Sequence, residues 1–345
     1  MRYVAPKKMR IVVLVHEDLV PPDSIENVSD KEMAPWKTEF DVITTLREMG
    51  HDVHPVGVYS DLGVIRNAIE QTRAQICFNL LEEFHGYSLY DQHVVSYLEL
   101  IRQPYTGCNP RGLTLAHDKA LSKKLLAYHR IRVPNFAVFP INSRVRRPAR
   151  LQFPLLVKSL TEEGSVGIAQ ASIVYDDPGL AERVKFVHRQ IKTDAIAEQY
   201  IDGRELYLGI LGNHRLQTLP PWELIIKNLP EGAPRIATAK LKWDLDYQEK
   251  AGVVTRTAKN LPVGIDTRIA HLSKRIYRIL SLSGYARLDF RLTEAGDLYL
   301  IEANPNPNLS YGEDFAESAH HAGMSYEEVL QRILNLGLNY HRLAP

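Results

Sequence analysis

Two short stretches in the last quarter of the sequence carry carboxylates at a spacing that suits a cation. Gly284-Tyr-Ala-Arg287-Leu-Asp289-Phe-Arg-Leu292 and Leu298-Tyr-Leu-Ile-Glu302-Ala-Asn304 read as two strands. Along the first, Arg287, Asp289 and Arg291 share one face, and Ala286, Leu288, Phe290 and Leu292 share the other. A four-residue loop, 294–297, pairs Thr293 with Leu298, which sets Asp289 opposite Glu302 and Arg287 opposite Asn304. Opposed Cβ atoms lie about 5 Å apart, and two ionised carboxylates at that range repel unless a cation lies between them. Oxygen ligands from Asp289, Glu302 and the Asn304 amide suit Mg²⁺, which takes few protein ligands and completes its octahedron with phosphates and water. Pro305-Asn-Pro-Asn308 then stops the strand. Read alone, this hairpin is as readily a solvated sheet edge.

Three further segments carry groups suited to a nucleotide. Lys158 emerges from the apolar run 153–157, and Gly164, Ser165, Val166 and Gly167 follow as a small-residue loop whose backbone N–H groups can approach phosphate oxygens. Lys119 stands at the start of a helix, where a cation opposes the macrodipole, so service to an anion competes with simple solvation. Glu198, Gln199 and Ile201 lie on a strand that turns at Asp202-Gly203 into a second strand bearing Glu205. A carboxylate such as Glu205 can accept two hydrogen bonds from a ribose diol, and strand backbone at 199–201 can read the edge of adenine. Each segment in isolation is more often structural.

The elements that must hold these groups divide the chain by style. Apolar run 11–15, helical spacing of Phe40, Ile43 and Leu46 with a stop at Gly50, strand 53–58, helix 65–72, strand 75–81 and helix 90–101 alternate as in an open parallel α/β domain. From about residue 117 the pattern is a helix over 118–129, short strands 135–139 and 153–160 around a loop at 142–150, and a strand at 195–200. Mostly strand is expected thereafter, until a helix at 266–283; a capping box, Ser325 with Glu328, opens the last helix.

Taken together and in this order, the segments resemble the ATP-grasp superfamily, and most closely the D-alanine–D-alanine ligase family, from about residue 80 to residue 334. His85-Gly86, Pro104-Tyr-Thr-Gly107, and Asp118-Lys119 with Lys123 add to the match. The resemblance implies an ATP-grasp fold of α/β and α+β type. It implies Lys119 and Lys158 on the ATP phosphates under a loop of Gly164, Ser165, Val166 and Gly167. Glu198, Gln199 and Ile201 would hold adenine and Glu205 the ribose. Asp289, Glu302 and Asn304 would hold two Mg²⁺, with Mn²⁺ a possible substitute, and Arg287 would stabilise the oxyanion. Lys240 matches the family's phosphate-contacting lysine loosely, and Lys242 competes for that place. The implied reaction is ATP-dependent ligation of a carboxylate to an amine through an acylphosphate.

Departures from the family pattern cluster on the substrate side. The family's first strand ends in a glycine-rich turn leading to a Glu and a Ser for the first D-alanine, whereas Val15 here runs into His16-Glu-Asp-Leu-Val-Pro-Pro. The family's Gly-Glu-Asp-Gly after His-Gly is here Leu89, Tyr90, Asp91 and Gln92, and only Ser165 remains of two adjacent phosphate-loop serines. Glu313, the eleventh residue after Glu302, stands where the family places a serine for the second substrate carboxylate, which an acidic side chain would repel. Glu17, His85, Asn308 and Glu313 are the substrate-side candidates, and a product other than D-alanyl-D-alanine is expected. D-alanine ligation itself, a phosphotransferase, and a nucleotide-binding relative without ligation are the alternatives; Arg287 argues against the last, since binding alone needs no oxyanion partner.

Composition bounds the remaining classes. The 345 residues, 45% apolar and 24% charged, exceed one ordinary core. Three domains are expected: 1–116 on the substrate side, 117–197 with the phosphate loop, and 198–345 with the metal and oxyanion groups. Lys plus Arg total 42 against 41 Asp plus Glu, so no global field would hold nucleic acid or an anionic membrane. Cys77 and Cys108 are too few for a disulfide framework and read as reduced thiols. No signal-peptide pattern or membrane-length apolar run is evident, and neither a P-loop nor a G-x-G-x-x-G turn follows the first strand. The expectation is a cytoplasmic enzyme with small-molecule substrates, and a homodimer is compatible with it.

Overall fold

The computed structural model describes residues 8–26, 28–162, 167–229, 234–236, 238, 240 and 244–340. Among these, the strands assemble into three sheets. In the first, β1 (Arg10–His16) lies between β2 (Asp52–Val58) and β3 (Ile76–Asn79), all parallel. The crossover from β1 to β2 contains α1 (Asp30–Met33) and α2 (Lys37–Glu48), and α3 (Leu62–Thr72) returns the chain to β3. Both faces of β1 are buried, which is why its sequence is continuously apolar rather than alternating. Ile11, Val13 and Val15 pack with Val42, Ile43 and Leu46 of α2, while Val12 and Leu14 turn to the opposite core.

Helices α4 (Asp91–Leu100), α5 (Pro110–His117) and α6 (Lys119–Tyr128) lead into a four-stranded sheet. Its order is β4 (Phe136–Phe139), β7 (Ala195–Gln199), β5 (Leu155–Ser159), β6 (Ile173–Val174), backed by α7 (Asp177–Phe186). Phe139, Leu155, Val157, Leu180, Val184 and Ala197 give it a core of its own. Strand β7 ends at Gln199, one residue short of the strand expected at 195–200.

The third sheet runs β11 (Val253–Thr257), β10 (Trp222–Ile226), β8 (Arg204–Leu211), β12 (Tyr285–Leu292), β13 (Leu298–Pro305), with β9 (Gln217–Thr218) on β8. Between its strands lie α8 (Leu245–Ala251) and α9 (Ile265–Ile279), and α10 (Asp314–His321) and α11 (Tyr326–Leu338) follow. The helix expected over 266–283 stops at Ile279, because Ser281 takes a positive φ of 54° that an α-helix cannot continue. The capping box at Ser325 and Glu328 forms as expected.

The first and third sheets share their cores: Tyr285, Leu309, Phe315 and Leu330 pack with the α2 face of β1. Beside these sheets Gly107 and Gly284 approach each other closely. A Cβ on Gly284, where φ is +71°, would stand 2.5 Å from the Gly107 carbonyl oxygen. Asn306 Oδ1 accepts the Cys108 N–H at 2.8 Å, so the loop after β13 is sewn to the connection between α4 and α5. Gly284→Ala should therefore cost about 1–3 kcal/mol through backbone strain and clash. Denaturant titration checks this, and an unchanged midpoint would mean that the two loops can separate freely.

Candidate active site

Asp118 caps α6, its Oδ1 accepting the N–H groups of Ala120 at 2.9 Å and Leu121 at 2.8 Å. This fixes Lys119 and Lys123 one turn apart on a single buried face, at 3% and 2% exposure. Like charges at that spacing repel, so the helix is satisfied only by anions from elsewhere. Lys119 Nζ lies 2.9 Å from Glu302 Oε1 and donates to the Glu162 carbonyl at 2.7 Å. Lys123 Nζ lies 3.1 Å from Glu198 Oε1 and donates to the Ile301 carbonyl at 2.6 Å. Lys158, on β5, reaches the other Glu198 oxygen at 3.5 Å. Among the described residues, three lysines thus converge on two carboxylates.

The same arrangement sets the ionisation. Burial opposes charge on Glu302, but Lys119, Lys158 and Lys123 together hold its carboxyl well below the usual range. Burial likewise opposes charge on Glu198, and Lys123 and Lys158 outweigh it, so that carboxyl is also held low. Desolvation works against Lys158, and Glu198 and Glu302 overcome it, so its ammonium is retained more strongly than usual.

The hairpin of β12 and β13 places Asp289 opposite Glu302 and Arg287 opposite Asn304, as the alternation required. The route to that register differs from the expected one. The turn pairs Leu292 with Leu298 rather than Thr293 with Leu298, and a bulge at Ile301 restores the phase before Glu302. Thr293 instead closes the turn, its Oγ1 accepting the Asp297 N–H at 3.1 Å. Arg287 grips Asp289 with two hydrogen bonds, 2.8 and 2.9 Å, stacks 4.5 Å above the Tyr207 ring, and lies 3.7 Å from Asp314.

Asn304 Nδ2 is buried without a hydrogen-bond partner. Amide oxygen and nitrogen are interchangeable by rotation, so this edge can present an oxygen to a cation. Among the described residues no three His, Cys, Asp or Glu side chains gather as a metal cluster. The donor set available is two carboxylates and an amide, each carboxylate steadied by a cationic neighbour. All-oxygen donors of this number fit a hard divalent ion that retains water and phosphate ligands.

Glu205, on β8, is tied to the same sheet. Arg291 Nη2 meets its Oε2 at 2.5 Å and Tyr207 donates to its Oε1 at 2.8 Å, while Arg291 also donates to the Gly203 carbonyl at 3.0 Å. Gln199 ends β7, its N–H bonded to the Asn135 carbonyl at 2.7 Å, and Ile201 is buried two residues on. Gly164, Ser165, Val166 and Lys242 lie outside the described residues. Gly167 (φ +68°) is anchored by the Arg183 guanidinium, which donates to its carbonyl and lies 4.1 Å from the centre of the Phe186 ring. Lys240 is exposed, with its ammonium 4.8 Å over the Tyr247 ring.

On the substrate side the candidates sit at the ends of the first sheet and of β13. Glu17 is exposed in the turn Glu17–Leu19, and the exposed His85 ring lies 5.7 Å from Tyr59. Asn308 Oδ1 accepts from the Thr38 hydroxyl at 2.9 Å, and the exposed Glu313 stands at the N-cap of α10. Sequence reasoning matched Lys123 and placed Arg291 on the Asp289 face without giving either a role, and it missed Tyr207. A lysine one turn after Lys119 on an otherwise buried helix face was the available signal for the first.

Glu198→Gln removes one partner from a buried ion cluster, a change that costs about 3–5 kcal/mol. Because the Glu198 carboxyl is held low in the folded protein, its contribution is present above the ordinary carboxylate range and lost as pH falls through the depressed value. The Tm gap between parent and variant should therefore be widest near pH 7 and narrow steadily toward pH 3 in thermal melts. A gap independent of pH would show that Glu198 acts by packing alone.

Residues 125–335 match the family model described as the D-ala D-ala ligase C-terminus. The protein y4sG of Sinorhizobium fredii is 29% identical over 317 residues, 88% of each chain. The D-alanine–D-alanine ligase of Syntrophotalea carbinolica is 30% identical over 292 residues, 84% of this chain and 86% of that one. The crystal structure of the D-alanine–D-alanine ligase of Bacillus anthracis complexed with ATP superposes with a TM-score of 0.74 at 24% identity, covering 96% of this chain and 97% of that one. Among the described residues no helix is long and apolar enough to cross a membrane. With the expected lysine and carboxylate segments in the expected order, the chain belongs to the D-alanine–D-alanine ligase family of ATP-grasp carbon–nitrogen ligases.

Proposed function

We propose that this chain uses ATP to activate a small carboxylate as an acylphosphate and joins it to an amine, with substrates other than D-alanine plus D-alanine. The observation that carries this reading is the convergence of Lys119, Lys123 and Lys158 on Glu198 and Glu302 beside the Asp289–Arg287 pair. Lys119 and Lys158 bind the phosphates of ATP, and their charge offsets negative charge on the transferred phosphoryl group. Glu198 and Lys123 position Lys158 rather than touch the nucleotide through their own charges. Gln199 and Ile201 hold adenine and Glu205 the ribose, with Arg291 and Tyr207 keeping the carboxylate aimed. The segment ending at Gly167 covers the phosphates. Lys240 stands as the further phosphate contact.

Asp289, Glu302 and Asn304 hold the divalent cation, which when bound offsets phosphate charge. Arg287, fixed by Asp289 and the Tyr207 ring, faces the oxyanion formed when the amine attacks the acylphosphate; phosphate then leaves and the amide remains. Three bodies are proposed to frame the site: 1–116, 117–199 and 200–345, the middle boundary moved to keep β7 whole.

The substrate difference is supported by α10. Glu313 stands at the N-cap position of this helix and Asp314 begins it, 3.7 Å from Arg287, so carboxylates already occupy the helix end that favours an anion. An acceptor with no free carboxylate at that place is the better fit.

Glu302→Gln should abolish ADP release while leaving the fold intact, and ATP affinity should become nearly independent of Mg²⁺; turnover near the parental rate would remove Glu302 from the site. For the reaction itself, ADP release over paired acids and amines, with hydroxylamine trapping and mass spectrometry, should show an acylphosphate followed by an amide. Efficient synthesis of D-alanyl-D-alanine by the unmodified protein, with KM in the ordinary range of about 1 μM–1 mM, would overturn the substrate assignment.

A further inference from the structure

A basic face runs along α9. Arg268, His271 and Arg275 recur at i, i+3 and i+7, beside the buried stripe of Ile265, Ile269 and Ile276. An exposed helix face ordinarily interleaves opposite charges three or four residues apart. Within α9 the places three and four away from Arg268 and Arg275 hold isoleucine, leucine, histidine and arginine, and no carboxylate. The connection from α6 to β4 brings Arg130 and Arg132 to the same place. These five side chains and Leu298 line one groove of about 720 Å³.

Among the described residues, one of the four guanidiniums meets a carboxylate: Arg132, with Asp297. Arg268 Nη1 donates to the Gly296 carbonyl at 3.0 Å, and Arg275 Nη2 to the His129 carbonyl at 3.2 Å. A backbone carbonyl orients a guanidinium without neutralising it. Asp266 and Glu294 are exposed outside the lining, and among the described residues no Asp or Glu lines the groove. The whole chain carries a formal charge of only +1, so this concentration of arginine is local rather than a share of a general excess.

The groove lies apart from the groups proposed for nucleotide and metal. Leu298 pairs with Leu292, and both belong to the core that Ile265 and Ile269 of α9 complete. Arg287, Asp289 and Arg291 alternate with Leu288, Phe290 and Leu292 along β12 and so take the other face of the sheet. The two walls of the groove are also fixed to each other, because the Leu300 N–H donates to the Arg132 carbonyl at 2.9 Å.

Guanidinium forks match the paired oxygens of a phosphate, a geometry that lysine does not offer. A single phosphate group carries about two charges at most, fewer than four guanidiniums can answer, whereas linked phosphates put more charge on a compact body. The volume falls within the roughly 300–1,000 Å³ of small-molecule sites, while a nucleic acid is held by an extended row of phosphate contacts. We infer that the groove between α9 and the α6–β4 connection binds a compact anion with two or more linked phosphates, at a second site separate from that of ATP. The inference stands independently of the ligase reading.

Isothermal titration calorimetry with inorganic tripolyphosphate tests it, without divalent cations and at about 0.15 M salt, where distant exposed charges are screened. The parent is compared with Arg268→Gln/Arg275→Gln and with a control, Lys124→Gln/Lys274→Gln, which removes two charges from α6 and α9 outside the groove lining. One binding event should weaken at least about tenfold in the groove variant, the scale of one charge-assisted hydrogen bond, and stay within about twofold of the parent in the control. Arg130→Gln/Arg132→Gln, on the facing wall, should act in the same direction should the first variant fold poorly. Orthophosphate should bind the parent at least about tenfold more weakly than tripolyphosphate. UTP titrated in the same way separates a nucleotide's phosphate tail from a bare chain, and groove-dependent binding of either upholds the inference. Tripolyphosphate affinity unchanged by both groove variants, an equal loss in the control, or orthophosphate binding as tight as that of tripolyphosphate would overturn it. So would a single-stranded oligonucleotide that engages the same arginines more tightly than tripolyphosphate does.

Discussion

Glu198 is the point on which the rest depends. A carboxylate at 1% exposure is tolerable only because Lys123 and Lys158 meet its two oxygens from different elements. Helix α6 supplies one lysine and strand β5 the other, and Lys123 reaches on to a carbonyl of β13. One ion cluster thus ties the four-stranded sheet to the strand that carries Glu302. Such clusters add little to stability compared with apolar packing, yet breaking one side is costly. The arrangement holds three lysines in place through protein contacts alone, which is what electrostatic preorganisation of the proposed phosphate site requires.

The β12–β13 hairpin was legible because its information is local. Period-two alternation on β12 and β13 put Asp289 opposite Glu302, and the core confirms the partition: Ala286, Leu288 and Phe290 are wholly buried. The bulge was not legible, since nothing in the residue types around Ile301 marks an unpaired position. Helices α5, α7 and α10 were passed over because each is short and its buried face rests on a few residues, such as Leu180 and Val184 in α7. The overrun of α9 has a similar cause: Leu280 and Leu282 continue the apolar spacing although Ser281 breaks the backbone.

The nucleotide groups were legible as types but not as partners. Lys119, Lys158 and Glu198 drew notice for their placement, yet that Glu198 would spend its carboxylate on Lys123 and Lys158 depends on contacts across 75 and 40 residues of chain. Cys77 and Cys108 stayed simple: both are buried free thiols, each pushed up to about 12 by burial, and so poor nucleophiles. The substrate side was legible chiefly as departures.

The bulge at Ile301 has a consequence for how the hairpin can vary. Side-chain direction in a strand is a binary phase, and one residue gained or lost in the connection would ordinarily invert every position beyond it. Here the phase is reset between the tip and the site, and the residue that absorbs the slip offers its carbonyl to Lys123. The orientation of Glu302 and Asn304 is thereby referenced to α6 rather than to the turn. Loop 293–297 is left free to drift in length and composition, and the ligand-bearing end of the strand keeps its aim.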